Sequence, residues 1–460
     1  MEQKREGFAS KIGFVLAAAG SAVGLGNIWR FPYLAAKYGG GIFLLIYIIL
    51  ACTFGFSLMI AEIAIGRKTG KSVIGAYKDV NKHFGFLGYL AALVPFIITP
   101  YYCVIGGWVL KYFTMFLTGK MAETAVVPGE GGLTFFESFI GNAGPVFLFF
   151  IIYVAINAIV VIIGVQKGIE KISKFLMPAL IVIIIGIAIY TLVAIDGAGQ
   201  GALYYILPNF EGFTFTQFLK TIVAAMGQLF YSLSLAMGIM VTYGSYMRKE
   251  DSLEKSVRQI EIFDTGVAVL AGLIIVPAIY AFSNGDASQM NKGPGLMFIT
   301  LPRVFEEMPG GAIVGTLFFV LVALAAMTSS ISLLETIVSI VSEKFKLKRV
   351  VSTLICVAIV LGVGSLSVLG YSAWSSFTIW GLQWLDFFDT ISNNVMMPIV
   401  SLLTSILIII GYVKKNRFVE DEVMRGDHKF SGKYLFRAMI CVVCPIIMIV
   451  ILITNFTLKL

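Results

Sequence analysis

Long apolar runs separated by short polar gaps make up most of this chain. Eleven of these runs are long enough to cross a bilayer, since a transmembrane helix needs about 20 mostly apolar residues. The sequence therefore predicts an all-α integral membrane protein with eleven transmembrane helices. The predicted spans cover roughly residues 11–37, 41–66, 86–118, 144–164, 168–195, 216–246, 257–283, 310–342, 349–369, 375–412 and 434–457.

Basic residues concentrate in alternate gaps between these spans. Arg67 and Lys68 follow the second span and Lys414 and Lys415 follow the tenth, whereas the intervening gaps contain more acids, such as Glu123. The positive-inside rule places the basic gaps in the cytoplasm. We therefore expect a multi-pass protein of the plasma membrane with its N-terminus in the cytoplasm and, after eleven spans, its C-terminus outside.

The first span contains helix-breaking and polar residues near its middle. Residues 17–32 read AAAGSAVGLGNIWRFP. Glycine in a helix interior costs about 1 kcal/mol relative to alanine, and a charge at bilayer depth costs at least roughly 2.5–3.5 kcal/mol. A broken helix there exposes N–H groups to an anion and carbonyl groups to a cation. Glycines alone also fit tight helix packing, but Asn27 and Arg30 favour a binding site.

The sixth span repeats this pattern, because residues 232–238 (SLSLAMG) place hydroxyls and small residues at its middle. Interrupted spans in corresponding positions of two halves are typical of inverted-repeat transporters with a central site. We expect a 5+5 arrangement with broken helices 1 and 6. Residues 1–196 form the first repeat, residues 197–412 the second, and residues 413–460 a cytoplasmic loop and a peripheral eleventh span.

Composition narrows the class of protein. Of the 460 residues, 13% are charged, against about 25% in an average soluble domain. The net charge of +8 follows from the basic loops and does not indicate nucleic-acid binding. The two histidines lie in predicted loops and the five cysteines in predicted spans, without metal-ligand spacing or a nucleophile–base pair. The sequence therefore gives no indication of an enzyme.

Further polar residues lie inside or near predicted spans. Three consecutive hydroxyls, residues 328–330, occur in the eighth span, and acids within a membrane are functional hypotheses by default. Asp264 lies inside the seventh span, Glu62 near the inner end of the second, and Asp386 at the outer end of the tenth. Asp386 also fits an exposed acid at a helix end. The apolar loop over residues 283–309 fits either a folded-back lid or a plain external loop.

Several motifs together resemble the neurotransmitter:sodium symporter family, in particular its bacterial amino-acid transporters. They occur in family order and the resemblance covers spans 1–10. The resemblance implies sodium-coupled import of a neutral, apolar or aromatic L-amino acid by alternating access. The motifs are GSAVGLGNIWRFPY (residues 20–33), GQLFYSLSLAMG (residues 227–238), TYGSYMRK (residues 242–249) and MTSSI (residues 327–331).

The resemblance also implies two sodium sites built only from oxygen ligands, as a hard cation requires. Asp264 stands where the family often has asparagine. Its fixed carboxylate supplies the negative charge that chloride-dependent animal members take from an anion, so we expect no chloride requirement. The first site takes Ala22, Asn27, Ser232, Asp264 and the substrate carboxylate, and the second takes Gly20, Val23, Ala325, Thr328 and Ser329.

The implied substrate site lies between the two broken spans. Amine-selective members of the family carry an aspartate at the position of Gly24, so glycine leaves room for the carboxylate of an amino acid. No charged side chain lines the site. Ala236 stands where some relatives have glycine, which leaves the local backbone geometry open. The implied residues are Ala22, Gly24, Leu25, Gly26, Ile98, Tyr102, Tyr231, Ser232, Ser234, Met237, Ser329 and Leu333.

Two gates complete what the resemblance implies. Outside, Arg30 pairs with Asp386 beside Gln228, and Tyr102 and Tyr231 cover the site. Inside, Arg5 pairs with Glu343, supported by Ser245 and Tyr246.

Three other classes of protein compete with a transporter. A channel is disfavoured, because the polar residues cluster at breaks and gates rather than along a pore. A membrane enzyme lacks a catalytic constellation. A transport-inactive amino-acid sensor remains open. The expected partners are an amino acid, sodium ions and the lipid bilayer, with no nucleic acid. The sequence does not determine the oligomeric state.

Overall fold

The computed structural model describes residues 7–121, 134–283 and 294–457. Within these ranges the regular structure is helical, apart from a single bridge between Ile379 and Leu382. In chain order the helices are α1 (Lys11–Ala22), α2 (Gly26–Lys37), α3 (Gly41–Thr69), α4 (Val73–Val80), α5 (Lys82–Leu117), α6 (Phe135–Ile140), α7 (Ala143–Ile163), α8 (Val165–Ala194), α9 (Ala198–Ile206), α10 (Phe215–Ser232), α11 (Ile239–Tyr246), α12 (Leu253–Phe282), α13 (Leu301–Glu307), α14 (Gly311–Phe345), α15 (Arg349–Gly370), α16 (Trp384–Val413), α17 (Phe418–Val423) and α18 (Lys433–Asn455).

Nine of the helices in the described ranges are long and apolar enough to cross a membrane. They are α3, α5, α7, α8, α12, α14, α15, α16 and α18. The pair α1 and α2 makes a tenth candidate if both are counted as one bent span. These findings confirm an all-helical membrane protein, while the total of eleven spans stays a prediction.

Burial separates the central helices from the peripheral ones. In the most apolar stretch of α5 and of α14, 78% of the residues are buried, against 33% in α15 and 28% in α18. Helices α5 and α14 therefore form the middle of the bundle. The low burial of α18 agrees with a peripheral last span.

Capping residues fix where several helices begin. The Ser10 side chain accepts a hydrogen bond from the Gly13 N–H at 3.1 Å and starts α1. Thr214 and Gln217 exchange hydrogen bonds in a capping box at the start of α10. Such caps satisfy N–H groups that a helix leaves without partners. They set the register of the two helices that break in the membrane.

The break predicted in the first span is confirmed. Helix α1 ends at Ala22, Val23 adopts an extended conformation, and α2 continues at an angle of 53°. The first turn of α2, Gly26–Arg30, is π-helical. This geometry leaves backbone N–H and carbonyl groups of residues 23–26 outside the regular helical pattern.

The sixth predicted span is broken as well. Helix α10 ends at Ser232 and α11 begins at Ile239. Between them Ser234 and Ala236 have φ angles of 52° and 60°, and Gly238 has a φ of 71°. Left-handed backbone at non-glycine residues costs about 1–2 kcal/mol each. Such strain is common at functional sites.

The start predicted for the tenth span was wrong. Helix α16 begins at Trp384, not near residue 375. Residues 371–383 instead form an irregular hairpin, in which Trp380 and Gly381 have φ angles of 55° and 77°. Two successive left-handed residues turn the chain, and apolarity alone did not reveal this turn.

The segment after residue 293 folds back over the bundle, which is the first of the two possibilities for this loop. A π-helical turn, Leu296–Thr300, leads into α13, and Phe298 is buried against Trp29, Trp108 and Phe136. The hydroxyl of Tyr112 donates to the Phe298 carbonyl at 2.7 Å. This lid therefore lies directly above α2 and α5. Residues 284–293 of the predicted loop lie outside the described residues.

The loop after α16 contains a helix that packs on the basic end of α3. The fully buried Arg67 forms an ion pair with Glu422 of α17 at 2.9 Å. In the same helix burial raises the pKa of Glu420, but hydrogen bonds from Arg437, Tyr412 and Lys433 outweigh it and lower the pKa to about 2. The segment predicted as a loop therefore fastens α18 to the bundle.

Candidate functional site

A small enclosed cavity lies where the two broken spans meet α5 and α14. All predicted substrate residues except Leu25 and Ser232 line this cavity. Ser21 and Ile239, which the sequence did not indicate, line it as well. The free space is about 20 Å³, room for about one water molecule. The cavity is therefore closed in this conformation, and a larger molecule requires its walls to move. Its lining residues are Ser21, Ala22, Gly24, Gly26, Ile98, Tyr102, Tyr231, Ser234, Met237, Ile239, Ser329 and Leu333.

Glycine is required at two positions in the cavity wall by close approach of other side chains. A Cβ atom added at Gly24 would lie 2.7 Å from Ser329 Oγ and 3.0 Å from the Tyr102 hydroxyl. At Gly26 it would lie 2.3 Å from the ring of Tyr231. Any side chain here would displace a polar group of the cavity or the ring that covers it.

Two tyrosines close the cavity on the side of α2. The Tyr102 hydroxyl accepts a hydrogen bond from the Leu25 N–H at 3.3 Å. The guanidinium of Arg30 lies 5.8 Å from the centroid of the Tyr231 ring, within cation–π range. Tyr231 therefore lies between the cavity and Arg30, as the expected cover requires.

A buried carboxylate joins α12 to both broken spans. The side-chain amide of Asn27 donates to Asp264 Oδ1 at 2.8 Å, and Ser232 Oγ lies 3.0 Å from both carboxylate oxygens. The Gly24 N–H donates to Asn27 Oδ1 at 3.1 Å. The side chains of Asn27, Ser232 and Asp264 are 0% exposed. The three predicted side chains of the first sodium site are thus brought together.

Tyr47 belongs to this cluster and was missed by sequence reasoning. Its hydroxyl donates to Asp264 Oδ2 at 3.3 Å from the middle of α3, and its ring is fully buried. A single tyrosine in an apolar span gives no signal in the sequence. Among the described residues the hydrogen-bond donors to the carboxylate are neutral, and a buried negative charge is costly unless a cation compensates it. The amide, hydroxyl and carboxylate oxygens suit a hard monovalent cation.

A second cluster of oxygens lies between α1 and α14. Ser329 Oγ lies 3.0 Å from the Ser21 carbonyl oxygen, 3.2 Å from that of Val23 and 3.5 Å from that of Gly20. Thr328 Oγ1 donates to the Ala325 carbonyl at 3.0 Å. The five predicted ligands of the second sodium site therefore lie next to one another.

Glu62 positions the break between α10 and α11. Its Oε1 accepts a hydrogen bond from the Ala236 N–H at 2.7 Å, and its buried Oε2 has no hydrogen-bond partner among the described residues. Ala236 is one of the residues with left-handed backbone. Glu62, which the sequence indicated as a candidate near the inner end of the second span, thus stabilises strained backbone at the cavity.

The predicted outer ion pair between Arg30 and Asp386 does not form in this conformation. Asp386 instead accepts a hydrogen bond from the Tyr371 hydroxyl at 3.1 Å. Asp389 accepts a hydrogen bond from the Tyr101 hydroxyl at 3.0 Å, and among the described residues Arg30 forms no ion pair with either acid. Since three residues advance a helix by most of a turn, the two acids share a side of α16 but lie at different depths. The pairing with Asp386 was wrong for this conformation.

Gln228 lies at the centre of the outer group. Its Nε2 donates to the Gly26 carbonyl at 2.9 Å, and its Oε1 is buried without a hydrogen-bond partner among the described residues. It therefore connects α10 to the first turn of α2.

The predicted inner gate lies at the opposite end of the bundle. One of its members, Arg5, lies outside the described residues. Glu343 accepts a hydrogen bond from the Ser72 N–H at 2.6 Å. Ser245 Oγ donates to the Thr242 carbonyl at 2.6 Å. The inner group thus ties α14 to the link between α3 and α4.

Tyr246 has a partner that the sequence did not indicate. Its hydroxyl donates to Glu335 Oε1 at 2.8 Å, and the fully buried Glu335 also forms an ion pair with Arg349 at the start of α15. Glu335 follows the hydroxyl-rich stretch of α14 by less than two turns. An isolated acid in a strongly apolar helix was the available signal.

Comparison with known proteins gives consistent results over the whole chain. A family profile described as "Sodium:neurotransmitter symporter family" matches residues 5–126 and 132–459. An uncharacterized sodium-dependent transporter of Bacillus subtilis is 35% identical over 437 residues, 95% of this chain and 93% of that protein. A sodium- and chloride-dependent GABA transporter 2 of Rattus norvegicus is 26% identical over 382 residues, 74% of this chain and 62% of that protein.

A solved structure resembles the fold closely. The crystal structure of MhsT in complex with L-phenylalanine superposes with a TM-score of 0.86 at 34% sequence identity. The match covers 98% of this chain and all of the other.

Proposed function

Since the chain belongs to the sodium:neurotransmitter symporter family, we propose that this sodium-coupled transporter imports a neutral, hydrophobic L-amino acid by alternating access. The observation that carries the proposal is the geometry at Gly24. The residue has no side chain, its N–H group points to Asn27, and Ser329 and Tyr102 leave no room for a Cβ. An acidic side chain for an amine substrate does not fit there.

The lining of the cavity supports a hydrophobic side chain on the substrate. It combines aliphatic, thioether and aromatic groups with serine hydroxyls and contains no charged residue. The related solved structure contains L-phenylalanine. Met237 adapts to different shapes, so we propose a class of aliphatic and aromatic amino acids rather than a single one.

Two sodium ions travel with the substrate in this proposal. The first is coordinated by Asn27, Ser232, Asp264, the Ala22 carbonyl and the substrate carboxylate. The second is coordinated by the carbonyls of Gly20, Val23 and Ala325 with the hydroxyls of Thr328 and Ser329. Because the first ion and the substrate share a carboxylate, each increases the affinity of the other, and this linkage is reciprocal.

Chloride is not required in this proposal. A relative from rat is named as sodium- and chloride-dependent. In the present chain the carboxylate of Asp264 lies within the first oxygen cluster, and it provides a fixed negative charge where an anion would otherwise be needed. Two like charges in a buried site repel each other strongly, which disfavours additional chloride.

Alternating access uses the two ends of the broken spans. Outside, we propose that Arg30 closes on Asp389 rather than on Asp386, with Gln228, Tyr102 and Tyr231 beneath the pair. Inside, we propose that Arg5 closes on Glu343, with Ser245 and Tyr246 in support. Opening one end while the other stays closed moves the central site between the two sides of the membrane.

The proposed architecture contains eleven transmembrane helices, with α1–α2 and α10–α11 counted as one broken span each. Residues 1–196 and 197–412 form inverted repeats, and residues 413–460 contribute the cytoplasmic segment and the peripheral last span. We place the protein in the plasma membrane with its N-terminus in the cytoplasm and its C-terminus outside.

Uptake by purified protein in proteoliposomes tests this proposal. An inward sodium gradient should drive accumulation of one or more hydrophobic L-amino acids above the external concentration. Downhill flux without accumulation would indicate a channel, and sodium-dependent binding without flux would indicate a sensor. Recovery of chemically altered substrate would indicate an enzyme, although the family is one of transporters.

A further inference from the structure

A large cavity lies at the end of the bundle that the loop charges predict as cytoplasmic. Its volume is about 1050 Å³, and it lies between α4, the beginning of α5 and the turn from α14 to α15. The basic residues along its wall outnumber the acidic ones. The basic residues are Lys71, Lys78, Lys344, Lys346 and Arg349, and the acidic ones are Asp79 and Glu343.

Some of these charges are already compensated within the protein. Lys71 forms an ion pair with Asp79 at 2.6 Å, and Arg349 forms one with Glu335. In the described part of the chain no carboxylate lies within ion-pairing distance of Lys78, Lys344 or Lys346, so these residues leave three positive charges along one cavity without an ion-pair partner. An anion is the ligand that this wall favours.

One of the three lysines contacts a tyrosine of the cavity wall. Lys344 Nζ lies 2.6 Å from the Tyr89 hydroxyl and 5.0 Å from the centroid of its ring. Lys78 lines the same cavity. Ammonium groups that share one cavity wall repel each other, and a group with several anionic oxygens would bridge them.

Tyr89 also lies in the middle of an apolar stripe on α5. Phe86, Tyr89 and Leu93 are 55%, 52% and 49% exposed, and their spacing places them on one face of this membrane-spanning helix. Exposed apolar residues on a transmembrane helix contact lipid chains. A ligand that touches both the lysines and this stripe must combine an anionic head with an apolar tail.

We propose that Lys78, Lys344 and Tyr89 form a binding site for the phosphate of an anionic phospholipid. The phosphate oxygens contact the two ammonium groups, Lys346 adds a third positive charge at the cavity, and the acyl chains extend from Tyr89 along Leu93. Aromatic and basic residues at the cytoplasmic interface are the chemistry by which membrane proteins recognise such headgroups.

The experiment measures lipid binding to the full-length protein in detergent micelles by native mass spectrometry. Phosphatidylglycerol, phosphatidylcholine and inorganic phosphate are titrated separately. The variant Lys78→Gln/Lys344→Gln is compared with Lys171→Gln/Lys255→Gln, two exposed lysines outside the cavity that change the net charge equally. Lys344→Arg, which keeps the charge, serves as the conservative replacement.

Because each lysine near a headgroup contributes about a fivefold change in affinity, the cavity variant should bind phosphatidylglycerol about 25-fold more weakly. The control variant, Lys344→Arg and all titrations with phosphatidylcholine should match the wild type. Equal loss in both double variants would show a general charge effect and overturn the site. Competition by millimolar inorganic phosphate would show a free-anion site and overturn the assignment to a lipid.

Discussion

The side-chain amide of Asn27 donates a hydrogen bond to Asp264 Oδ1 at 2.8 Å, and both residues are fully buried. This contact joins the broken first span to α12. It brings a fixed negative charge to the group of oxygens that we propose as the first sodium site. We propose that this charge takes the place of the chloride that the rat relative's name implies.

The variant Asp264→Asn is expected to create a dependence on chloride. It keeps the shape of the side chain but removes the charge, so an external anion must supply it. Uptake by the variant should be at least several-fold higher in chloride than in gluconate buffer, while the wild type responds equally to both. A variant with full activity in gluconate would contradict the role of the charge.

Substitution of Gly24 is expected to abolish binding of the amino acid. The variant Gly24→Asp introduces a carboxylate beside that of the substrate, and even Gly24→Ala places its Cβ 2.7 Å from Ser329 Oγ. We expect at least tenfold weaker binding for alanine and none for aspartate. Gly186→Ala is the matched control, because a Cβ there meets nothing within 4 Å. Wild-type affinity of Gly24→Asp in equilibrium binding would show that the substrate carboxylate lies elsewhere.

A polar network behind the second oxygen cluster is expected to set sodium affinity. Ser330 donates to Asn157 Oδ1 at 2.7 Å and lies 2.9 Å from the Tyr153 hydroxyl, and all three side chains are fully buried. Ser330→Ala leaves polar atoms of α7 without a partner, at a cost of about 1–3 kcal/mol. Because Thr328 and Ser329 immediately precede it, the sodium concentration for half-maximal binding should rise several-fold.

The control for this network is Ser365→Ala, which removes a hydroxyl that bonds only within its own helix α15. It should leave the sodium dependence unchanged. A Ser330→Ala protein that melts at a lower temperature but keeps wild-type sodium dependence would limit the network to a structural role.

Ala236→Gly is expected to stabilise the protein. Ala236 has a φ of 60°, and glycine adopts this conformation without the steric cost of a Cβ, which we estimate at about 1 kcal/mol. The melting temperature in detergent should rise by a few degrees. Ala188→Gly, within the regular helix α8, should instead lower it, since glycine weakens a helix. A lower melting temperature for Ala236→Gly would show that the alanine methyl packs favourably.

Local sequence patterns predicted the broken spans but not every contact across them. Gly24, Asn27 and Arg30 stood out because each is costly inside an apolar helix, and that cost is visible without any tertiary information. The pairing of Arg30 with Asp386 is absent for the opposite reason. Whether an acid on another helix reaches Arg30 depends on the depth and tilt of both helices, and the spacing of residues in the sequence gives neither.

Tyr47 shows a second limit of sequence reasoning. A tyrosine within a span fits membrane packing as well as it fits a site, so only the neighbouring helix reveals its role. The turn at Trp380 was missed because apolar side chains such as Phe377, Ile379 and Leu382 continue through it. Hydrophobic pattern predicts where the chain enters the membrane more reliably than where a helix begins.

The most direct test of the central claim is equilibrium binding of radiolabelled L-phenylalanine to the purified protein across sodium concentrations. If sodium and the substrate carboxylate share one site, affinity for phenylalanine should rise steeply with sodium, and phenylalanine should raise sodium affinity by the same factor. Replacement of sodium by potassium should abolish binding. Equal affinity for hydrophobic amino acids with and without sodium would contradict the account.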